Sequence, residues 1–449
     1  MVAIGLAGGQ GIRARPLTLE AFGYLRSKAT MSFAGRPLID WQVAAFRDQG
    51  IDNFYVVANG RENRYQVKEV LGHGDELRVR VRYSRPRMDR HNTGSGEATL
   101  SALDYWDLRG LALIFPTDSL FEFDLADLVR RHRAGGALVT MATVERTAAE
   151  VAGTYGTMVT DHTGWIREFV EKPPLDRARA LAGRTGRIPI NAGLYLVDAA
   201  ALRRLAAGPE LAAAMRHRLD WGSDLLPWLV THGHRVLQVP IGKAGDLGNL
   251  REYLTTLTDV LGGGYPHMLK RLDPPYAGNI WIHESSLRQR DPFTGMTLSA
   301  KLNAGLVSIG PNVRIGRDVE IGPGVTIKDA CVGDGVDLHP RCHLERTTCL
   351  DGAVVGWGAR ITDAHIGVMA TVESTHEAIT ALEGYTALGH EATVRAGARL
   401  TGTVVYPRFT VPAGATTPNG TVLVTAADLI AGDLAAAASP SSLPPVAGP

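Results

Sequence analysis

Close to its start the chain reads GLAGGQGIRARPLT over residues 5–18. An apolar lead-in runs into Gly8, Gly9 and Gly11, followed by Arg13, Arg15 and Pro16. Consecutive small residues let backbone N–H groups converge on an anion, and a guanidinium beside them adds a forked, permanent cation. That is phosphate chemistry. A tight glycine turn with a surface arginine is the plainer alternative, and the stretch alone leaves both open. Residues 9–14 also satisfy G-x-G-x-x-[GA]. A dinucleotide site of that kind needs a helix here and an acidic residue about twenty positions on, closing the next strand. Pro16 interrupts the helix, and SKATMSFAGRP supplies neither strand nor acid. No G-x-x-x-x-G-K-[ST] is present, which excludes a Walker A loop.

Two elements of the chain must position this loop. Up to about residue 262, short apolar runs alternate with longer amphipathic ones. VAIGLAGG, NFYVVANG, LALIFPTD and LVTMATVE read as strands, while PLIDWQVAAFRDQG and FDLADLVRRHRAGG read as helices ending near glycine. This succession predicts an α/β layer fold, a Rossmann-like, mostly parallel sheet with ligands at the carboxyl ends of its strands. Later the period changes. Ile309, Ile315, Ile321 and Ile327 recur every six residues, as do Val313, Val319 and Val325, and Gly310, Gly316 and Gly322. A hexapeptide repeat of this kind predicts a parallel β-helix, with isoleucine pointing inward and glycine at the corners. The expected organisation is a catalytic domain over 1–262, a Gly/Pro-rich linker over 263–305, the β-helix over 306–426 and a disordered, low-complexity tail over 427–449.

Composition narrows the function classes. The 47 basic and 46 acidic residues leave a formal charge of +1, which argues against nucleic-acid or membrane-surface binding through bulk charge. With no signal-like start and no apolar run near twenty residues, the cytoplasm is the expected compartment. Cys331, Cys342 and Cys349 lack C-x-x-C spacing, so packing is favoured over metal binding for them. Only seven basic residues are lysines, which makes each one near a motif informative.

The opening stretch, continued to Lys28 in LRSKATMSFAGRPLI, resembles the signature of the sugar-1-phosphate nucleotidylyltransferases, G-G-x-G-T-R-x-x-P-L-T followed by a lysine. Ile12 replaces the usual threonine and Ser27 the usual proline, which removes one hydroxyl but neither cation. The resemblance continues in family order for about 250 residues, through IFPTDSLFEFDL, NTGSGEA, YGTMVTDHTGWIREFVEKPP, INAGLYLVD, LDWGSDLLPWLV and AGDLGNLREYL. Thr117 stands where glycine is common. The resemblance implies a left-handed β-helix after the catalytic domain. It implies catalytic roles for Arg13 and Lys28, and nucleotide contacts from Gly8, Gly9, Gly11, Gly94 and Glu97. It further implies sugar-phosphate contacts from Gly156, Glu171, Lys172, Asn191 and Asp224, and a Mg²⁺ held by Asp118 and Asp246. Taken singly, Asp118 and Asp246 could each cap a following helix, and both lysines could be solvated. WGSDLLPWL leans toward the ADP-glucose branch of the family, although SKATMSFAGRP departs from that branch.

The implied reaction joins a nucleoside triphosphate, ATP or GTP, to a hexose or cyclitol 1-phosphate, releasing pyrophosphate. Its nucleophile is a phosphate already mostly dianionic at pH 7, so no general base is needed. The obstacle is repulsion: two unit charges 4 Å apart interact by roughly 4 kcal/mol at an effective dielectric of 20. Cations and in-line positioning are therefore the expected catalysis. The alternatives are a catalytically silent subunit of the same fold, and a bifunctional uridylyl- and acetyltransferase using His339, His343, His365 or His390. A homo-oligomer built through the β-helix is expected in each case.

Overall fold

The computed structural model describes residues 1–8, 15, 17–19, 26–91, 93–425 and 428, with only the backbone for 89–91. The expected tail, apart from Asp428, and the loop residues Gly9, Gly11 and Arg13 therefore lie outside the described residues. Two compact units emerge: Met1–Gln10, Ser27–Thr30 and Pro37–Gly245 form the first, and Gly11–Arg26, Met31–Arg36 and Asp246–Pro449 the second.

The first unit is built on a nine-stranded sheet. Val2–Ala7 lies between Asn53–Ala58 and Leu111–Pro116, all parallel, and Arg80–Tyr83 continues in the same sense beside Asn53–Ala58. The long strand Arg187–Asp198 then runs antiparallel to both Leu111–Pro116 and Val139–Thr147. Ile4, Leu113 and Ile114 are fully buried, as expected for strands covered on both faces by helices. Leu38–Asp48 and Leu125–Gly135 form where the amphipathic pattern places them. The second of these helices starts at Asp124, whose carboxylate accepts the Asp127 N–H at 3.1 Å, and ends at Gly136 in the left-handed region.

The second unit is a three-sided parallel β-helix with its covering segments. Ile315 pairs with Val332, Ile321 with Leu338 and Ile327 with Leu344, each partner seventeen residues on. One coil is thus two six-residue sides and one of five. Val313, Val319 and Val325 are fully buried, and Cys342 and Cys349 join the same apolar interior. Burial raises the pKa of both thiols, and among the described residues no group of three or more His, Cys, Asp or Glu could hold a metal. These cysteines pack.

Two segments on either side of residue 262 join the second unit. The helix Leu250–Asp259 belongs to the second unit. Its Tyr253 is 1 % exposed and meets the His365 ring edge-on at 6.0 Å. The segment 263–305 is ordered covering structure rather than a bare tether. Its strand Ile280–Ile282 pairs with Val313–Ile315, and Leu298 enters the β-helix core.

Candidate active site

A cleft of about 360 Å³ opens in the first unit where the parallel strands end, the position at which α/β sheets present ligands. Leu6, Ala7 and Gly8 come from the end of the first strand, Val57 and Asn59 from the next, and Pro116, Thr117 and Asp118 from a third. Ser27, Lys28 and Ala29 form another wall.

Lys28 begins the short 3-10 turn Lys28–Thr30. Its Nζ lies 2.9 Å from Asp118 Oδ2, with the two side chains 12 % and 30 % exposed. Asp118 leads into the strand Ser119–Glu122, and the helix beyond is capped by Asp124. A capping role for Asp118 is thereby removed. Its loop is pinned by Gln42, 2 % exposed, whose Nε2 donates to Pro116 O at 2.8 Å and to Ser119 O.

The opposite wall is Gly94, Ser95 and Ala98 with Asp220 and Trp221. Gly94 allows close backbone approach there, since a Cβ on it would stand 2.6 Å from Leu219 O. Asp220 Oδ1 accepts from Ser95 N at 3.1 Å and from Ser95 Oγ at 3.2 Å, while Ser95 Oγ accepts from Trp221 N at 2.9 Å. Trp221 Nε1 donates to Thr99 Oγ1 at 2.8 Å. The indole stacks on Tyr195 with centroids 4.3 Å apart. Glu97 is 4 % exposed and bonded to Ser101 Oγ within its own helix; it does not line the cleft.

The residues expected to hold the sugar gather around this aromatic pair. Asn191 donates from Nδ2 to Tyr195 Oη at 2.7 Å and accepts the Gly193 N–H at 2.9 Å, at a register shift in its strand. Glu171 lies against Gly156 and Gly222, where a Cβ would come within 2.5 and 3.0 Å of its Oε2. Burial raises its pKa, Lys172 opposes that rise, and Asp220 and Asp224 add to it. Asp224 Oδ2 accepts from Asp220 N at 2.8 Å and from Ser223 Oγ at 2.9 Å. Lys172 has φ 46°, a left-handed turn conformation at the hairpin end.

Asp246 begins the last and longest segment of the second unit, where its Oδ1 accepts the Gly248 N–H at 2.8 Å. The helix that follows is capped by Asn249, which accepts from Glu252 N at 3.0 Å. Gln42, Asn59, Ser95, Tyr195, Asp220 and Trp221 are the site residues that motif reasoning missed. Gln42 left a signal: a lone amide inside the apolar run LIDWQVAAF needs a buried partner.

A profile of the nucleotidyl transferase family matches residues 2–262, and one of the GMPPB C-terminal domain matches residues 296–419. A protein of Oryza sativa described as probable mannose-1-phosphate guanylyltransferase 2 is 24 % identical over 376 residues, spanning 80 % of this chain and 87 % of its own. The mannose-1-phosphate guanylyltransferase of Mycobacterium tuberculosis is 26 % identical over 347 residues, spanning 77 % of this chain and 83 % of its own. The glucose-1-phosphate adenylyltransferase of Bradyrhizobium diazoefficiens is 24 % identical over 398 residues, covering 75 % and 88 %. Guanylyltransferases thus outweigh the ADP-glucose leaning of the WGSDLLPWL stretch. With the strand-end cleft in place and over half the chain matched, the protein belongs to the nucleotidyl transferase family.

Proposed function

We propose that the protein joins GTP to a hexose 1-phosphate, with mannose 1-phosphate the first candidate, giving a nucleotide sugar and pyrophosphate. Most of the relatives that suggest the pair are guanylyltransferases for mannose 1-phosphate. The observation that carries the reaction class is the Lys28–Asp118 pair in the strand-end cleft, facing the Tyr195–Trp221 wall. A phosphate oxygen of the sugar phosphate attacks the α-phosphorus, a new P–O bond forms, and the bond to the β-phosphate oxygen breaks as pyrophosphate leaves. Lys28 offsets charge at the α-phosphate, and Arg13 with the glycine amides takes the departing phosphates. Lys172 holds the sugar phosphate, while Glu171 and Asn191 bond sugar hydroxyls.

The donor set fits Mg²⁺. Asp118 offers a hard carboxylate in the cleft, and this ion is commonly held by one or two carboxylates plus substrate phosphates. Asp246 is the second ligand that the family resemblance implies. When bound, the ion supplies neutralisation of phosphate charge.

Pyrophosphate release with ATP, GTP, dTTP and UTP, each crossed with sugar and cyclitol 1-phosphates in the presence of Mg²⁺, tests the proposal. GTP with mannose 1-phosphate is expected to turn over fastest. Silence across the panel from folded protein would overturn the reading.

The raised pKa of Glu171 yields a further prediction. A carboxylate with a raised pKa loses its charge at a higher pH than usual, so it accepts hydroxyl hydrogen bonds less well as pH falls. The KM for the sugar phosphate should rise as pH is lowered from 8 toward about 5. The substrate phosphate titrates in the same range, so the difference between wild type and Glu171→Gln is the reading. The variant should show a higher KM at pH 8 and a flatter profile; identical profiles would remove Glu171 from the sugar site.

A further inference from the structure

The helix Leu38–Asp48 carries an amide on its apolar face. Ile39, Val43 and Phe46 recur at helical spacing and are buried, and Gln42 falls in the same stripe. An aliphatic side chain would fill that position without bringing a polar group into the core. Both hydrogens of the Gln42 amide are instead spent on one turn, at Pro116 O and Ser119 O. Two carbonyls can be met only by the nitrogen, so the amide cannot flip. Its Oε1 is left buried with no hydrogen-bond partner among the described residues. A buried acceptor is normally paired, and leaving it bare costs stability. Gln42 is therefore explained by the turn it closes, and only Thr117 and Asp118 lie between the two carbonyls.

The turn is held from a second side. Thr117 donates to Leu6 O from its backbone N at 3.3 Å and from Oγ1 at 3.2 Å. The helix also secures the lysine. Ala29, next to Lys28 and 1 % exposed, shares one apolar core with Ile39, Val43 and Phe46. Phe46 in turn meets Phe115, at the root of the turn, edge-on at 4.9 Å. Both ends of the Lys28–Asp118 pair are thus mounted on one helix.

We propose that Gln42 is a positioning residue for nucleotidyl transfer. By closing residues 116–119 it sets the Asp118 carboxylate, and through that carboxylate the Lys28 cation. Gln42 does not line the cleft, so it acts through Asp118 and not on substrate. The inference rests on the catalytic reading of Lys28 and Asp118. A misplacement of about 1 Å in such a group can cost roughly 10²-fold in rate.

The test is a double-mutant cycle on the intact chain. Gln42→Met keeps the length of the side chain and removes both N–H groups. It should lower kcat by about tenfold to a hundredfold, with KM for the triphosphate changed less than about threefold. In the Asp118→Asn background the same substitution should lower kcat by less than about threefold. Equal losses in both backgrounds would mean a purely structural role and overturn the proposal, as would full turnover by Gln42→Met. Should Gln42→Met not fold, the cycle is run with Gln42→Glu, which matches glutamine in size and donates at most one hydrogen bond. A crystal structure of the folded variant decides the point without turnover. Asp118 should be displaced by about 1 Å or more from its place beside Lys28; an unmoved carboxylate would overturn the proposal. A wild type silent with every substrate pair would instead overturn the catalytic reading, and the crystal structure would still show whether Gln42 sets Asp118.

Discussion

Replacing Lys28 with alanine should lower kcat by roughly 10²–10³-fold, the range found when a preorganised donor to transition-state charge is removed. The side chain is 12 % exposed and lies 2.9 Å from Asp118 in the cleft. Charge that develops on phosphate oxygens there meets a cation whose position is already set by its carboxylate partner. A solvated lysine would have to be immobilised first, and its charge would be screened. The loss should therefore fall on kcat, with a smaller change in KM for the triphosphate. Stability should fall only by about 1 kcal/mol, because a partly exposed ion pair contributes little. Asp118→Asn provides the companion measurement. It should slow turnover too, and the double variant should be no worse than about the slower single one, since the two groups act as a unit. Turnover of Lys28→Ala within about threefold of wild type would remove the lysine from the chemistry.

The sheet was legible because each strand is a self-contained apolar run closed by turn residues, and Val2–Ala7, Asn53–Ala58 and Leu111–Pro116 fall where those runs lie. The β-helix was legible over its first coil and blurred afterwards for a geometric reason. Inward positions step by six from Ile315 to Ile321 and Ile327, then by five to Val332, and the short step recurs from Leu344 to Cys349 and from Ile361 to Ile366. A strict six-residue period slips by one at each coil. The coil from Ile366 to Leu388 is longer again, spanning twenty-two residues and holding the loop 374–379. The catalytic motifs and the family profile both run to residue 262, while the helix Leu250–Asp259 near that end buries Tyr253, Leu254 and Leu257 in the second unit.

Motifs singled out Lys28 and Asp118, which line the cleft, and the Glu171–Asn191 region. The residues that hold them were not legible. Trp221 and Tyr195 meet through packing between segments far apart in the chain, and Ser95 meets Asp220 only because Gly94 lets the two backbones close. Short-range pattern carries no trace of such contacts. The histidines weighed as acyl-transfer bases also depend on tertiary context. His365 is 3 % exposed and pushed down to about 3 by burial, with His390 nearby adding to the fall. A histidine in that setting is a packed neutral side chain.

The largest structural effect is expected at Lys301, in the stretch that composition presented as a linker. Lys301→Ala should destabilise the second unit by about 3–5 kcal/mol, the cost of leaving a buried charge without its partner. Lys301 Nζ lies 2.5 Å from Asp291 Oδ2 with both side chains 1 % exposed, and it also donates to Ile321 O in the β-helix wall. Asp291 accepts in addition from Phe293 N at 2.9 Å, Thr294 N at 3.0 Å and Thr294 Oγ1 at 2.5 Å. Burial alone would raise the Asp291 pKa, but Lys301 and Thr294 together lower it below the usual carboxylate value. A lowered folded-state pKa gives stability that is present above the unfolded value and lost only as pH falls through the lower one. The wild-type pair therefore keeps its contribution throughout the neutral and mildly acidic range. Without Lys301 the burial effect should prevail, and protonation of Asp291 would then relieve the fold as pH falls. The gap between wild type and variant, read from urea unfolding by circular dichroism, should narrow from pH 7 to about pH 4.5. A gap below about 1 kcal/mol at pH 7 would mean that water reaches Asp291 easily. The segment would then cover the β-helix through Leu298 and Ile282 rather than through its ion pair.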